Sequence, residues 1–212
     1  DEIVKVYGID ARFFYMPDVL CWQIIRRALE IIALVDTERI RERMQEMRMK
    51  QEYNELLLPL INYVLILANF YELYNKIKTY VFDTPEKYIS EYVNSLYLLD
   101  SWYRQSLEIY VGLPNDTENF NMISNAKRML DKDYASFCHI LNQEWMKCWL
   151  EKGGRQEQLG AKIQQDIYKN ESNNSVKQVF IVSDALRYEV AAELYAELAK
   201  EKHIAQLDYV VS

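Results

Sequence analysis

Along the chain, segments with apolar residues at helical spacing are divided by short polar breaks. Asp1–Phe14 mixes apolar and polar residues without a helical repeat, and a strand or an ordered lead-in is expected there. Pro17 and Asp18 then suit a helix start, and Leu20, Ile24, Ala28, Ile31, Ile32 and Val35 follow the helical period. Asp36–Thr37–Glu38 reads as a new cap before a highly charged helix over 39–52. In that helix Met44, Met47 and Met49 are expected to form an apolar edge, and Glu42, Glu46 and Glu52 interleave with the basic residues as partners. Tyr53–Tyr80 is apolar and aromatic, and reads as the central helix or helix pair. Thr84 before Pro85 starts another helix, which continues from Tyr88 to Tyr110. After the turn 112–116 a helix is expected from about Thr117 to Leu150, with Lys132 as a place where it could break, and Gly153–Gly154 as its stop. Gln158–Tyr168 reads as one more short helix.

The pattern then changes. Asn170–Ser175 is a polar linker, and Val179–Val182 is a continuous apolar run of the kind found in strands covered on both faces. Ser183 and Asp184 suit a helix start. Leu186, Val190, Leu194 and Leu198 lie on one side of the helix that follows, with Glu189, Glu193 and Glu197 on another. Ile204–Val211 reads as a second strand, so the unit is a parallel β-α-β with a right-handed crossover. The expected organisation is a mainly α helical domain over 1–170, a linker over 171–175, and the first β-α-β of an α/β domain over 176–212.

Asp184 falls at the carboxyl end of the first strand, where open α/β sheets place their ligands. A carboxylate there has two readings: an N-cap for the helix, or a ligand for zinc, manganese or magnesium. Asp100 and Arg104, one turn apart on a helix, are expected to pair as a structural contact, with a phosphate contact by Arg104 as the alternative. Cys138, His139 and Cys148 match no usual zinc spacing.

Composition narrows the class. Half of the 212 residues are apolar, with only 5 Gly and 4 Pro, which favours long helices over a sandwich or barrel. A net charge of −7 gives no large nucleic-acid-binding face. Three cysteines make no disulfide framework and read as reduced thiols of a cytoplasmic protein. Leu56–Phe70, the longest apolar segment, carries Pro59, Asn62 and Asn69 and reads as a core helix, too short for a membrane span. The chain has no initiating Met and stops just after its second strand, so it is expected to be part of a larger protein.

The string VFIV followed by SDALRYE (Val179–Glu189) closely resembles the opening strand of the PglZ domain of bacterial BREX phage-defence systems, a family similar to the alkaline-phosphatase superfamily. Upstream, Tyr97, Asp100, Tyr103, Arg104, Trp145 and the run Gln164–Tyr168 resemble the same proteins in place and order. The resemblance covers about Leu96 to the end. It implies an alkaline-phosphatase-like α/β domain with Asp184 as a ligand of a divalent metal (zinc, manganese or magnesium), acting as a phosphatase or phosphodiesterase. The nucleophile and other ligands of that superfamily lie on later strands, so the chain alone is expected to be inactive, and Arg187 and Glu189 of the motif are expected to serve local packing and ion pairing. The resemblance also implies partners within the defence system, a methyltransferase and an ATPase, and a phosphate-ester or nucleic-acid substrate, with no membrane. The competing readings are a helical protein-interaction scaffold without catalysis, and a helical regulator in which the string is coincidental.

Overall fold

The structure, a computed structural model, describes residues 2–10, 17–34, 37–50, 54–77, 80–113, 117–151, 153–154, 183, 186–201 and 207. Every regular element among them is helical: α1 (Glu2–Tyr7), a 3₁₀ turn (Gly8–Asp10), α2 (Asp18–Ile31), α3 (Thr37–Lys50), α4 (Leu57–Ile77), α5 (Pro85–Glu91), a π turn (Tyr92–Leu96), α6 (Tyr97–Gly112), α7 (Thr117–Glu151) and α8 (Tyr188–Lys200). The helical part of the expected fold is therefore present. The expected strands at 179–182 and 204–211, the helix at 158–168 and the linker at 171–175 lie outside the described residues. By its contacts the chain divides into Asp1–Tyr80 with Leu98–Leu141, and Val81–Tyr97 with Asn142–Ser212.

The first unit is built on the periodic apolar positions. Ile24, Ile25 and Ala28 of α2, Ile40, Met44 and Met47 of α3, and Leu60, Ile61, Val64, Leu67 and Ala68 of α4 are all fully buried. Each Leu or Ile enclosed this way contributes roughly 1.5–3 kcal/mol of transfer free energy. α3 runs antiparallel along α4, since Arg41 near the start of one pairs with Glu72 near the end of the other. Asn54 caps α4, its Oδ1 accepting from the amides of Leu56 (3.2 Å) and Leu57 (3.0 Å), while its Nδ2 donates to Asp18 Oδ1 (3.2 Å).

The apolar edge of α3 is narrower than expected. Met44 and Met47 are buried but Met49 is 79 % exposed, and Arg43 is buried in place of a third apolar residue. Glu46 compensates Arg43, accepting from its Nη1 at 2.5 Å and from Lys50 Nζ at 2.9 Å.

α4 runs on past Phe70 to Ile77, so length does not exclude a membrane span as its apolar core alone suggested; by length and composition the helix qualifies for one. Burial makes it the core helix instead, with 61 % of its most apolar window enclosed within the fold.

Two further expectations are corrected. Glu2–Asp10 is helical, not extended: α1 and the 3₁₀ turn pack on α2, with Ile9 buried, and packing of this kind overrides the strand preference of Ile3, Val4 and Val6. α7 passes Lys132 without a break, because Asp131, Asp133 and Tyr134 around it all bond to other helices.

Those bonds set α6 against α7. Tyr134 donates to Asp100 Oδ1 (2.7 Å), Tyr103 to Asp131 Oδ1 (3.1 Å), and Tyr110 shares a bond with Ser124 (3.1 Å), so each step down one helix is a step up the other. The Tyr103 and Tyr134 rings stack at 3.8 Å, 6° from parallel. Tyr71 ties α4 to α7 through Asp133 Oδ2 (3.0 Å).

Candidate functional site

The site begins with the start of α8. The helical run starts at Tyr188, with Arg187 in extended conformation (φ −72°, ψ 153°) at the N-cap position and making no side-chain cap bond. The expected helix start directly after Ser183 and Asp184 is thus displaced toward the carboxyl end, and Leu186 precedes the helix. The expected apolar side is only partly enclosed, and one of the three glutamates is buried. Leu186 and Leu194 are about half exposed, whereas Glu189 is buried, at 1 % exposure, with Arg187 Nη1 3.8 Å from its Oε1. Enclosing a carboxylate is costly unless charge offsets the lost hydration, and Arg187 places a cation beside this one.

Tyr188 is anchored through both its ring and its hydroxyl. Its ring meets Tyr97 edge-on (5.3 Å, 82°) and is tilted toward Tyr92 (6.3 Å, 57°), and its hydroxyl donates to the Val93 carbonyl (3.3 Å). The acceptor belongs to the π turn between α5 and α6. Residues five apart in an α-helix point roughly 140° away from one another. The i→i+5 turn closes most of that angle and brings Tyr92 and Tyr97 to one side.

The same unit carries a second aromatic chain. Phe82 packs on Tyr88 (5.1 Å), Tyr88 on Trp145 (5.2 Å), and Trp145 stacks on Trp149 (5.6 Å, 22°). The buried Cys148 thiol donates to the Phe82 carbonyl (2.8 Å), and burial pushes its pKa up. Thr84 caps α5 as expected, its Oγ1 accepting from the Lys87 amide (3.2 Å). Gly153 and Gly154 close α7 with positive φ (81° and 66°), and a Cβ on Gly154 would sit 3.2 Å from Trp149 Nε1.

The sequence-derived candidates fare unequally. Asp184, the candidate metal ligand, lies outside the described residues, as do His203 and Gln164–Tyr168. Asp100 and Tyr103 face α7, and the bond shown for Asp100 comes from Tyr134, which gives this pair a role in joining helices. Trp145 belongs to the aromatic chain. Among the described residues no group of three or more His, Cys, Asp or Glu side chains could hold a metal ion, and no metal-dependent step is derived from them.

Sequence reasoning missed the π turn and the pairing of tyrosines with carboxylates. The first had a visible signal: Tyr92 and Tyr97 repeat at five, a spacing foreign to an α-helical face. Glu189, read as a packing and ion-pairing residue, is buried with Arg187 beside it.

Comparison with protein-family models, with curated proteins and with solved structures finds no match for this chain.

Proposed function

We propose that the chain is part of a PglZ-like, metal-dependent phosphatase or phosphodiesterase of a bacterial phage-defence system, its helices serving as the scaffold for the start of the hydrolase domain. The string VFIVSDALRYE carries the reading. The treatment of its last two residues supports it, since Tyr188 is bonded to the π turn and Glu189 is enclosed. Solvent-facing residues of a coincidental string would have neither constraint. In this reading Asp184 is a ligand of zinc, manganese or magnesium, and the ion's role is to polarise a phosphoryl group. Phosphate esters, nucleic acid included, are the substrate class, a methyltransferase and an ATPase of the same system are the partners, and the protein is cytoplasmic.

The test is hydrolysis of chromogenic phosphate mono- and diesters by the full-length parent with each metal, native against Asp184→Ala. Metal-dependent turnover that disappears in a folded Asp184→Ala protein is the expected result. Equal turnover in the two would remove the ligand role. No turnover in either protein, with assembly of the defence complex intact, favours the second reading, a helical interaction scaffold. One observation favours that alternative. Met49 (79 % exposed) and Leu56 (62 % exposed) leave apolar surface open in the first unit, where Met49 and Leu58 line a cleft with Glu42, Gln45, Glu46 and Arg48.

A further inference from the structure

Two amides interrupt α4, the helix otherwise given to the apolar core. Asn62 and Asn69 are half-buried and lie on one side of it, with Leu65 and Ile66 between them at helical spacing. Asparagine is a poor helix former whose amide both donates and accepts, yet among the described residues no hydrogen bond engages either side chain. α3 carries a matching stripe of Arg41, Gln45 and Arg48. Because α3 and α4 are antiparallel, Arg41 lies toward the Asn69 end and Arg48 toward the Asn62 end. The two stripes line one cleft of about 370 Å³, bordered also by Ile109 of α6 and built wholly within the first unit. Small-molecule sites span roughly 300–1,000 Å³.

The two guanidiniums are prepared differently. Arg41 is held by Glu72, which also accepts from Lys76 Nζ (3.0 Å), so its head is fixed while most of its donors stay open. Arg48 is exposed and has no acceptor among the described residues. Its neighbour Glu46 is already taken by Arg43 and Lys50.

We propose that this cleft binds a mononucleotide, with its phosphate on Arg41 and Arg48 and its base against the amides of Gln45, Asn62 and Asn69. Guanidinium forks match phosphate oxygens in pairs. A carboxamide presents donor and acceptor side by side, the pattern that pairs with a base edge. Leu65, Ile66 and Ile109 offer the ring an apolar surface. An inorganic anion would use the arginines alone and leave the amides and apolar side chains without a role. A nucleic-acid strand needs a basic track, which a net charge of −7 opposes. The described lining residues include no carboxylate, thiol, imidazole or hydroxyl, so the site binds its ligand without turning it over. None of this depends on the hydrolase reading.

The test is calorimetric titration of the full-length protein with ADP in EDTA, which removes divalent metal from any hydrolase site. The native protein should bind, and Arg48→Ala should bind about 10- to 100-fold more weakly, the scale of one hydrogen-bonded charge. Arg48→Ala loses no partner within the described protein, so its melting should match the native. The double variant Asn62→Ala with Asn69→Ala should lose on the order of tenfold for ADP. Arg27→Ala, an equal loss of charge on α2, should bind as the native protein does. So should Met49→Ala, which alters the neighbouring cleft that shares Gln45 and Arg48.

Absence of ADP binding, or equal binding by Arg48→Ala, overturns the proposal. Inorganic phosphate that binds as tightly as ADP, with the asparagine variants unaffected, overturns the nucleotide assignment. A single-stranded oligonucleotide that binds where ADP does not overturns it as well. ADP binding abolished by Asp184→Ala and spared by Arg48→Ala belongs to the hydrolase domain, and overturns this site while supporting that reading. Binding lost in Arg48→Ala and kept in Asp184→Ala supports the cleft, whatever becomes of the hydrolase reading.

Discussion

The α6–α7 pair of the first unit and the Tyr188 contact of the second both use tyrosine hydroxyls, but they direct them at different acceptors. In the first, Tyr103 and Tyr134 donate to the carboxylates of Asp131 and Asp100, and Tyr71 of α4 donates likewise to Asp133 of α7. In the second, Tyr188 donates to the main-chain carbonyl of Val93, and the Cys148 thiol to that of Phe82. A carboxylate acceptor gives a stronger bond and one that depends on charge, whereas a carbonyl cannot titrate. Charge-dependent bonds therefore join long helices whose apolar core already holds them, whereas main-chain carbonyls hold Tyr188 at the start of α8 and Cys148 on α7. The difference teaches that the tyrosines, so numerous in the composition, are not one kind of contact.

The largest expected effect tests how far the first unit depends on its apolar core. Leu67 is fully buried in α4, and Leu67→Ala should cost about 2–5 kcal/mol of stability by denaturant titration, as large-to-small changes in close-packed cores do. A loss below about 1 kcal/mol would mean that the core is centred elsewhere.

The contrast in acceptors is sharpened by a matched pair of variants. Tyr134→Phe deletes a 2.7 Å bond to a carboxylate and should cost about 1.5–3 kcal/mol, while Tyr188→Phe deletes a 3.3 Å bond to a carbonyl and should cost about 0.5–1.5 kcal/mol. Equal losses in the two variants would erase the distinction.

Alkali offers a third way to break the comparison. Burial first, and then the bonded Asp133 for Tyr71 and Asp100 for Tyr134, raise both phenols well above the ordinary value of 10.0. A raised folded value means that their contribution is complete below pH 10 and is lost as pH climbs from there toward the folded values. Following tyrosinate absorbance during alkaline unfolding, one should see Tyr71 ionise only with loss of its α4–α7 bond and Tyr134 only with loss of the α6–α7 pairing. Their ionisation at pH 10 in a folded protein would contradict the geometry.

The smallest effect lies at the acid end. Lys50 and then Arg43, acting against partial desolvation, hold the Glu46 carboxyl down at about 2, against an ordinary 4.5. A lowered folded value places its stabilising contribution above pH 4.5, to be lost as pH falls from 4.5 toward 2. Glu46→Gln should flatten that part of the acid unfolding curve, and an unaltered acid limb would show that the Arg43–Glu46–Lys50 group contributes nothing.

Much of the helical framework was legible in the sequence because it follows from local rules. Periodic apolar residues predicted α2, α3 and α4, Thr84–Pro85 predicted the start of α5, and Gly153–Gly154 predicted the end of α7. The candidate site was legible only as a string. The reading of Asp184 came from resemblance to a family and lies outside the described residues, whereas Glu189, read as a packing and ion-pairing residue, is buried with Arg187 beside it. Periodicity reports which residues share a face, but it does not say which face meets a neighbour.

The sequence by itself determined where most of the helices lie and where several of them stop, because capping, turn chemistry and a 3.6-residue repeat act within a few neighbouring residues. Only the tertiary structure decided that α5 and α6 are joined by a π turn, that Asp100 bonds to Tyr134, and that Tyr188 reaches Val93. Those are partners 34 and 95 residues apart, and no local rule couples chain segments at such separations. They are chosen by which arrangement buries the rings while leaving each hydroxyl an acceptor.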